Sequence, residues 1–210
     1  VLAIEKDERL MPFLEERFRR EIESGQLTIK NEDILDFPTQ KNCFDTEKYK
    51  IIANIPYYIT GQFLRKFLTI DNKPEKMVLL VQKEVAERIC ARNKKESILS
   101  MSVKVYGNPK YIDTVKKGSF FPIPSVDSAI LEIDIMQEES GCKLEKNKEA
   151  RFFEILHAGF GQKRKMILGN LENVFGSRGE AEIALKNCKI DSKKRAEDMI
   201  LEDWLCLSNQ

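Results

Sequence analysis

IIANIPYYIT, residues 51–60, is the stretch from which the fold of this chain is read. A short apolar run, Ile51 to Ala53, ends in Asn54, and Ile55, Pro56 and two tyrosines follow. An apolar run of this length reads as a buried strand of a parallel sheet. The polar residue at its end marks a loop that can carry chemistry. The tyrosine pair fits two roles, filling a core or offering a flat face to a ligand.

Working outward, the same strand pattern recurs on both sides. VLAIE (1–5) reads as a strand, and Asp7 to about Arg20 as an amphipathic helix with Leu10, Phe13, Leu14 and Phe18 on one face. LTIKNEDIL (27–35) gives a second strand ending in an acidic loop, and YKIIAN (49–54) is the third. A helix over 62–68, a fourth strand KMVLLVQ (76–82) and a helix KEVAERICAR (83–92) follow. Strands alternating with helices in this way predict an open parallel α/β sheet. Such sheets bind ligands beyond the carboxyl ends of their strands, and Glu5, Asp33 and Asn54 each stand at such an end.

Beyond Lys94 the pattern changes. SMSVKVYG (100–107), YIDTVKK (111–117) and SAILEIDI (128–135) read as strands without crossover helices, as at the antiparallel edge of a mixed sheet. Between the last two lies GSFFPIPSVDS (118–128), a rigid loop with two prolines and two phenylalanines. QEESGCKLEKNKEA (137–150) is polar and reads as a linker. From about Asn147 the chain reads as several short helices. The expected division is an α/β domain over 1–136 and a small all-α domain over 147–210.

The totals limit the function classes. The 210 residues carry 35 Lys and Arg against 34 Asp and Glu, a net charge of +1, so any nucleic-acid surface must come from local clustering. Cys43, Cys90, Cys142, Cys188 and Cys206 form no CxxC pair, and His157 is the single histidine, a structural residue on a helix. No zinc site, other metal or disulfide framework is expected, and the thiols are expected to be reduced. No run is long and apolar enough for a membrane span and no signal peptide is seen, so the expected location is the cytoplasm. The chain opens on VLAIEKDERL without an initiating Met and reads as a fragment.

The chemistry of NIPY is specific. An adenine amino group is a poor nucleophile because its lone pair is delocalised into the ring. Two acceptors aimed at its hydrogens, the Asn54 side-chain oxygen and the Ile55 carbonyl, would hold it and favour the pyramidal nitrogen that attacks a methyl donor. Pro56 fixes the turn and adds no competing N–H. Tyr57 offers a face on which a base stacks, a contact worth about 1–3 kcal/mol.

AIEKD, NEDIL, NIPYYIT, LLVQKEVAERI, FFPIPSVDSAI and FGQKRKMILGNL occur in that order along the chain. In these six stretches the sequence resembles the ribosomal RNA adenine dimethyltransferase family, in its small-subunit branch. The resemblance implies a Rossmann-like, S-adenosylmethionine-dependent methyltransferase sheet with a small all-α C-terminal domain. It further implies that the glycine-rich loop and the first strand of that sheet are absent here, with Val1 at the family's second strand and strand edges left unpaired.

By the same resemblance, Glu5 with Lys6 binds the ribose of S-adenosylmethionine, and Asp33 with Ile34 its adenine. Asn54 borders the methionine end and, with Ile55 and Pro56, holds the target amine. Tyr57 and Phe120 sandwich the target adenine once it has left its stack, while Phe121 is assigned to core packing. Lys163, Arg164 and Lys165 contact RNA phosphates. Lys94–Lys95, Lys116–Lys117 and Lys193–Arg195 are read as solvated faces.

The activity implied is N6-dimethylation of adjacent adenines in a loop near the 3′ end of small-subunit ribosomal RNA, in an assembling subunit, by a monomer. Three alternatives stay open: a large-subunit RNA methyltransferase, a non-catalytic RNA-binding assembly factor that kept the fold, and a DNA adenine methyltransferase.

Overall fold

The computed structural model describes residues 1–38, 48–136 and 146–210. Its strands are β1 (Leu2–Glu5), β2 (Thr28–Asn31), β3 (Lys50–Asn54), β4 (Lys76–Gln82), β5 (Gly107–Val115) and β6 (Ser128–Ile135). They form a two-stranded parallel sheet, β1-β2, and a four-stranded sheet ordered β3-β4-β6-β5. In the latter β3 and β4 run parallel, while β6 is antiparallel to both its neighbours, β4 and β5. This is the mixed α/β fold with an antiparallel edge expected from the sequence. Pro109 lies in β5, an edge strand, where a missing N–H is tolerated.

The described residues pack as two compact units. One comprises those of Val1–Glu47 together with Ile59–Asn72; the other comprises Lys48–Tyr58 and Lys73–Gln210. In the first unit, α3 (Thr60–Thr69) buries Thr60, Phe63, Leu64, Phe67 and Leu68, the three-and-four spacing of one helical face. The helix expected over 7–20 is broken. A 3-10 turn at Glu8–Leu10 precedes α1 (Met11–Arg17) and α2 (Arg19–Glu23), separated at Phe18, whose φ is −112°. Pro12 at the start of α1 cannot donate a backbone hydrogen bond to the preceding turn. Of the expected apolar stripe, Leu10, Phe13 and Phe18 are exposed and Leu14 is half-buried.

In the second unit the core is the inner face of β4 and β6. Met77, Leu79 and Val81 alternate with half-buried positions, and Ala129, Leu131 and Ile133 face the same interior. Burying each of the larger side chains contributes about 1.5–3 kcal/mol. The other face of this sheet carries a cross-strand charge ladder. Lys76 pairs with Glu132 and Asp134 at 3.1 and 2.8 Å, and Lys110 with Asp134 at 2.6 Å.

The segment SMSVKVYG, expected as a strand, is instead largely α5 (Ile98–Lys104). Ser97 accepts from the Ser100 N–H while Ser100 accepts from the Ser97 N–H, a reciprocal cap that outweighs the β-propensity of the valines. KEVAERICAR supplies α4 (Lys83–Ile89), directly after β4. Residues 137–145, most of the expected linker, lie outside the described residues.

The C-terminal helices are α6 (Glu149–Gly159), α7 (Ile167–Phe175), α8 (Arg178–Asn187) and α9 (Leu201–Leu207). Trp204 of α9 is fully buried and stacks on Phe160, with ring centroids 5.5 Å apart. Gly159 makes room for it: a Cβ there would lie 2.4 Å from the indole. Within the same unit these helices meet the sheet region through Lys95, paired with Glu197 and Asp198, and through the Tyr106 hydroxyl, which donates to Glu149.

The expectation of free thiols fails for one pair. Cys188 and Cys206 are joined in a disulfide, because the end of α8 and α9 bring their Cα atoms to 5.8 Å. A separation of 18 residues shows no such pairing without the helix packing. Cys90 is free among the described residues, and Cys43 and Cys142 lie outside them.

Candidate active site and nucleic-acid interface

In the first unit, Glu5 ends β1 and pairs in register with Asn31 at the end of β2. The Asn31 amide donates to the carbonyls of Glu5 and Lys6, at 2.9 and 3.2 Å, and knits the two strand ends together. One Glu5 carboxylate oxygen accepts the Asp7 N–H at 2.7 Å. Asp33 follows β2 and closes a turn: its Oδ1 accepts the Leu35 N–H at 2.8 Å, and Ile34 sits half-buried within that turn. Asp33 Oδ2 lies 2.6 Å from the Lys6 ammonium. The Lys6 hydrogen bond, then that of Leu35, hold the Asp33 carboxyl below the usual carboxylate range.

The turn is pinned from beneath by Lys66 of α3, which donates to the Leu35 carbonyl at 2.7 Å and to that of Phe37 at 2.5 Å. No sequence pattern marks this lysine. Glu5 and Asp33 thus stand as carboxylates at the carboxyl ends of two paired parallel strands, where ligands bind. Two carboxylate acceptors suit a nucleoside, whose ribose hydroxyls and exocyclic amine both donate hydrogen bonds. The Lys6 side chain is largely exposed, so its pairing with Asp33 is a weak, solvated contact that a ligand amine can replace.

In the second unit, β3 ends at Asn54, opposite Leu80 of β4. The Asn54 side chain is exposed, and among the described residues its amide has no hydrogen-bonding partner. Ile55 is buried and anchors the chain, Pro56 turns it, and Tyr57–Ile59 form a 3-10 turn. The Tyr57 hydroxyl lies 2.6 Å from the hydroxyl of Ser128, the first residue of β6. Ser128 directly follows the FFPIPSVD loop, so this bond ties NIPY to the segment that carries Phe120.

Phe120 is half-buried with an extended backbone, φ −117° and ψ 150°. Successive side chains on extended backbone point to opposite sides. Phe121 is accordingly fully exposed, which corrects its assignment to core packing. The loop is closed at its base by Asp127, which accepts the Lys117 N–H at 3.0 Å and pairs with Lys116 at 3.2 Å. Those contacts, the backbone one first, hold the Asp127 carboxyl below its ordinary range. The sequence reading gave neither Asp127 nor Ser128 a role, although the VDS triplet stood within the motif.

Lys163, Arg164 and Lys165 are exposed in the turn leading from α6 into α7. The Ile167 N–H donates to the Lys194 carbonyl at 2.8 Å, which sets the second basic run, Lys193 to Arg195, beside the first. Lys194 is half-exposed and lies 3.4 Å from Asp203. The other basic clusters are partly neutralised, Lys95 by Glu197 and Asp198 and Lys116 by Asp127. His157 is on a helix as expected, but on its exposed side.

The sequence profile of the family described as "Ribosomal RNA adenine dimethylase" matches residues 1–210. The chain is similar to the "Ribosomal RNA small subunit methyltransferase A" of Dehalococcoides mccartyi, with 39% identity over 99% of this chain and 70% of the relative. It is similar as well to the protein of that name from Mesoplasma florum, with 35% identity over 100% of this chain and 79% of the relative. Among solved structures, a dimethyladenosine transferase from Plasmodium falciparum superposes with a TM-score of 0.79 at 23% identity, over 99% of this chain and 80% of that one. The 23S rRNA methyltransferase ErmE superposes with a TM-score of 0.78 at 22% identity, over 100% of this chain and 80% of that one. These two share its fold.

Proposed function

The chain belongs to the ribosomal RNA adenine dimethylase family, and from that premise we propose that it is an S-adenosylmethionine-dependent N6-adenine dimethyltransferase. Its proposed substrate is a pair of adjacent adenines in a loop near the 3′ end of small-subunit ribosomal RNA, within an assembling subunit. The observation that carries this reading is Asn54: an exposed amide at the carboxyl end of β3, without a side-chain hydrogen bond among the described residues, next to a tyrosine fixed on Ser128.

Glu5 with Lys6 and Asp33 with Ile34 are the residues that would hold the nucleoside part of the cofactor. When bound, S-adenosylmethionine supplies a methyl group carried on a positively charged sulfur. The Asn54 oxygen and the Ile55 carbonyl accept hydrogen bonds from the target amine, and Pro56 keeps a competing donor out of the turn. Tyr57 and Phe120 present the flat faces between which an unstacked adenine fits. The amine proton leaves after transfer, so no ionised base is required.

A loop substrate suits this geometry, because an unpaired base is cheaper to unstack than one in a duplex. In this reading residues 1–136 do the chemistry and 147–210 grip the RNA. The enzyme acts as a monomer in the cytoplasm; no described helix is long and apolar enough to cross a membrane. The relatives named for the small subunit, at 35–39% identity over nearly the whole chain, favour that RNA over the large-subunit substrate named for ErmE. The test is labelled methyl transfer to small-subunit particles, isolated large-subunit RNA and duplex DNA in parallel. Label in the small-subunit RNA is expected; label confined to either of the others overturns the choice.

Phe120→Ala is expected to lower methyl transfer about 10- to 100-fold, the worth of one base–aromatic stack. Phe121→Ala, which removes an exposed ring, leaves the unfolding midpoint unchanged in a thermal scan. A large loss of stability in the Phe121 variant would show that the ring is packed after all.

The triple substitution Lys163→Ala, Arg164→Ala, Lys165→Ala weakens RNA binding and makes it less sensitive to salt. With about 0.7 per phosphate contact for single strands, the slope of log K against log salt falls by about 2. Titrations at several salt concentrations check this, and an unchanged slope removes these residues from the interface.

A further inference from the structure

Tyr57 has two side-chain torsions, and neither is set by the NIPY backbone. Its hydroxyl lies 2.6 Å from Oγ of Ser128. Ser128 is fully buried and opens β6, an interior strand, in register with Gln82 of β4 on one side and Val115 of β5 on the other. Backbone ladders on both sides therefore fix where its hydroxyl stands. A buried hydroxyl that loses its partner is costly, so the bond is held from both ends.

The residue before it holds the loop that carries Phe120. The Asp127 carboxylate closes the Phe120 loop on Lys117 and Lys116, and its carbonyl accepts the Lys83 N–H at the start of α4, at 3.0 Å. Two consecutive residues thus hold both segments: Asp127 the base of the loop that carries Phe120, and Ser128 the hydroxyl of Tyr57.

We infer that Ser128 is a positioning residue for methyl transfer, locking the Tyr57 ring in the orientation that receives the target adenine opposite Phe120. This rests on the adenine methyltransferase reading of the site. Ser128 acts through the tyrosine hydroxyl, so removing either hydroxyl has the same consequence and removing both adds nothing further. The consequence falls on turnover. A tilting ring lowers the fraction of bound complexes in reactive geometry, whereas phosphate contacts elsewhere set RNA affinity.

The experiment compares the wild-type protein, Ser128→Ala, Tyr57→Phe and the double variant in steady-state methyl transfer to small-subunit particles. Each single variant is expected to lose about five- to tenfold in kcat, the worth of one net hydrogen bond. The KM for RNA should stay within about twofold, and the double variant should be no slower than the slower single. With 2-aminopurine at the target position, both singles should quench its fluorescence less than wild type does. Full turnover in Ser128→Ala, losses that multiply in the double variant, or a loss in KM alone would each overturn the role. Tyr57→Phe changes no residue of β6 and reads the role even if Ser128→Ala disturbs the strand. Absence of transfer by the wild type overturns the function and the role with it. Active wild type with unaltered single variants overturns the role alone.

Discussion

Asn54→Ala is expected to cut methyl transfer by about 10²–10³-fold, as removing a preorganised hydrogen-bonding group from a reacting centre does elsewhere. The target amine becomes nucleophilic only as its nitrogen pyramidalises, and in the proposed mechanism the Asn54 oxygen is one of two acceptors that stabilise that geometry. The interaction strengthens as the methyl group arrives, so its loss appears in kcat rather than in binding. The fold is not at stake. The Asn54 side chain is exposed and contributes no hydrogen bond among the described residues, and such surface changes usually stay within about 0.5 kcal/mol. RNA affinity measured beside the rate should be unaltered. A variant that retains turnover would remove Asn54 from the chemistry.

Trp204→Ala is expected to have the largest effect on stability, about 3–5 kcal/mol. The indole is fully buried, stacks on Phe160 and fills the space left by Gly159, where even a methyl group would overlap it. Denaturant unfolding followed by circular dichroism checks this. Fluorescence cannot, since Trp204 is the single tryptophan. Gly159→Ala should destabilise from the opposite side by overfilling the same space. A loss below about 1 kcal/mol for Trp204→Ala would contradict the packing described.

The legible parts of the fold are those where burial imposes a period on the sequence. KMVLLVQ and SAILEIDI match β4 and β6 end to end, because the sheet buries one face and the residues alternate accordingly. SMSVKVYG misleads for a local reason: its valines and alternation suit a strand, yet Ser97 and Ser100 cap each other and start a helix. The stretch 7–20 shows a clean apolar stripe, but Pro12 and the break at Phe18 divide it, and its side chains are exposed apart from the half-buried Leu14.

The site was legible to the extent that it sits at strand ends. Glu5 and Asn54 are the last residues of β1 and β3, and Asp33 follows the end of β2 by two residues. Lys66, Asp127 and Ser128 were not legible. Each acts across at least 10 residues of chain, through a carbonyl, a loop base or a phenol, and no spacing in sequence encodes such contacts. The same holds for Lys193 to Arg195, which join the basic face through a single backbone bond to Ile167.

The most direct test is nucleoside mass spectrometry of small-subunit ribosomal RNA incubated with the folded protein and S-adenosylmethionine. The result expected is N6,N6-dimethyladenosine at two adjacent adenines of a loop near the 3′ end, absent when Asn54 is replaced. RNA left unmodified, or methyl groups found only elsewhere, would contradict the assignment of NIPY as the holder of an adenine.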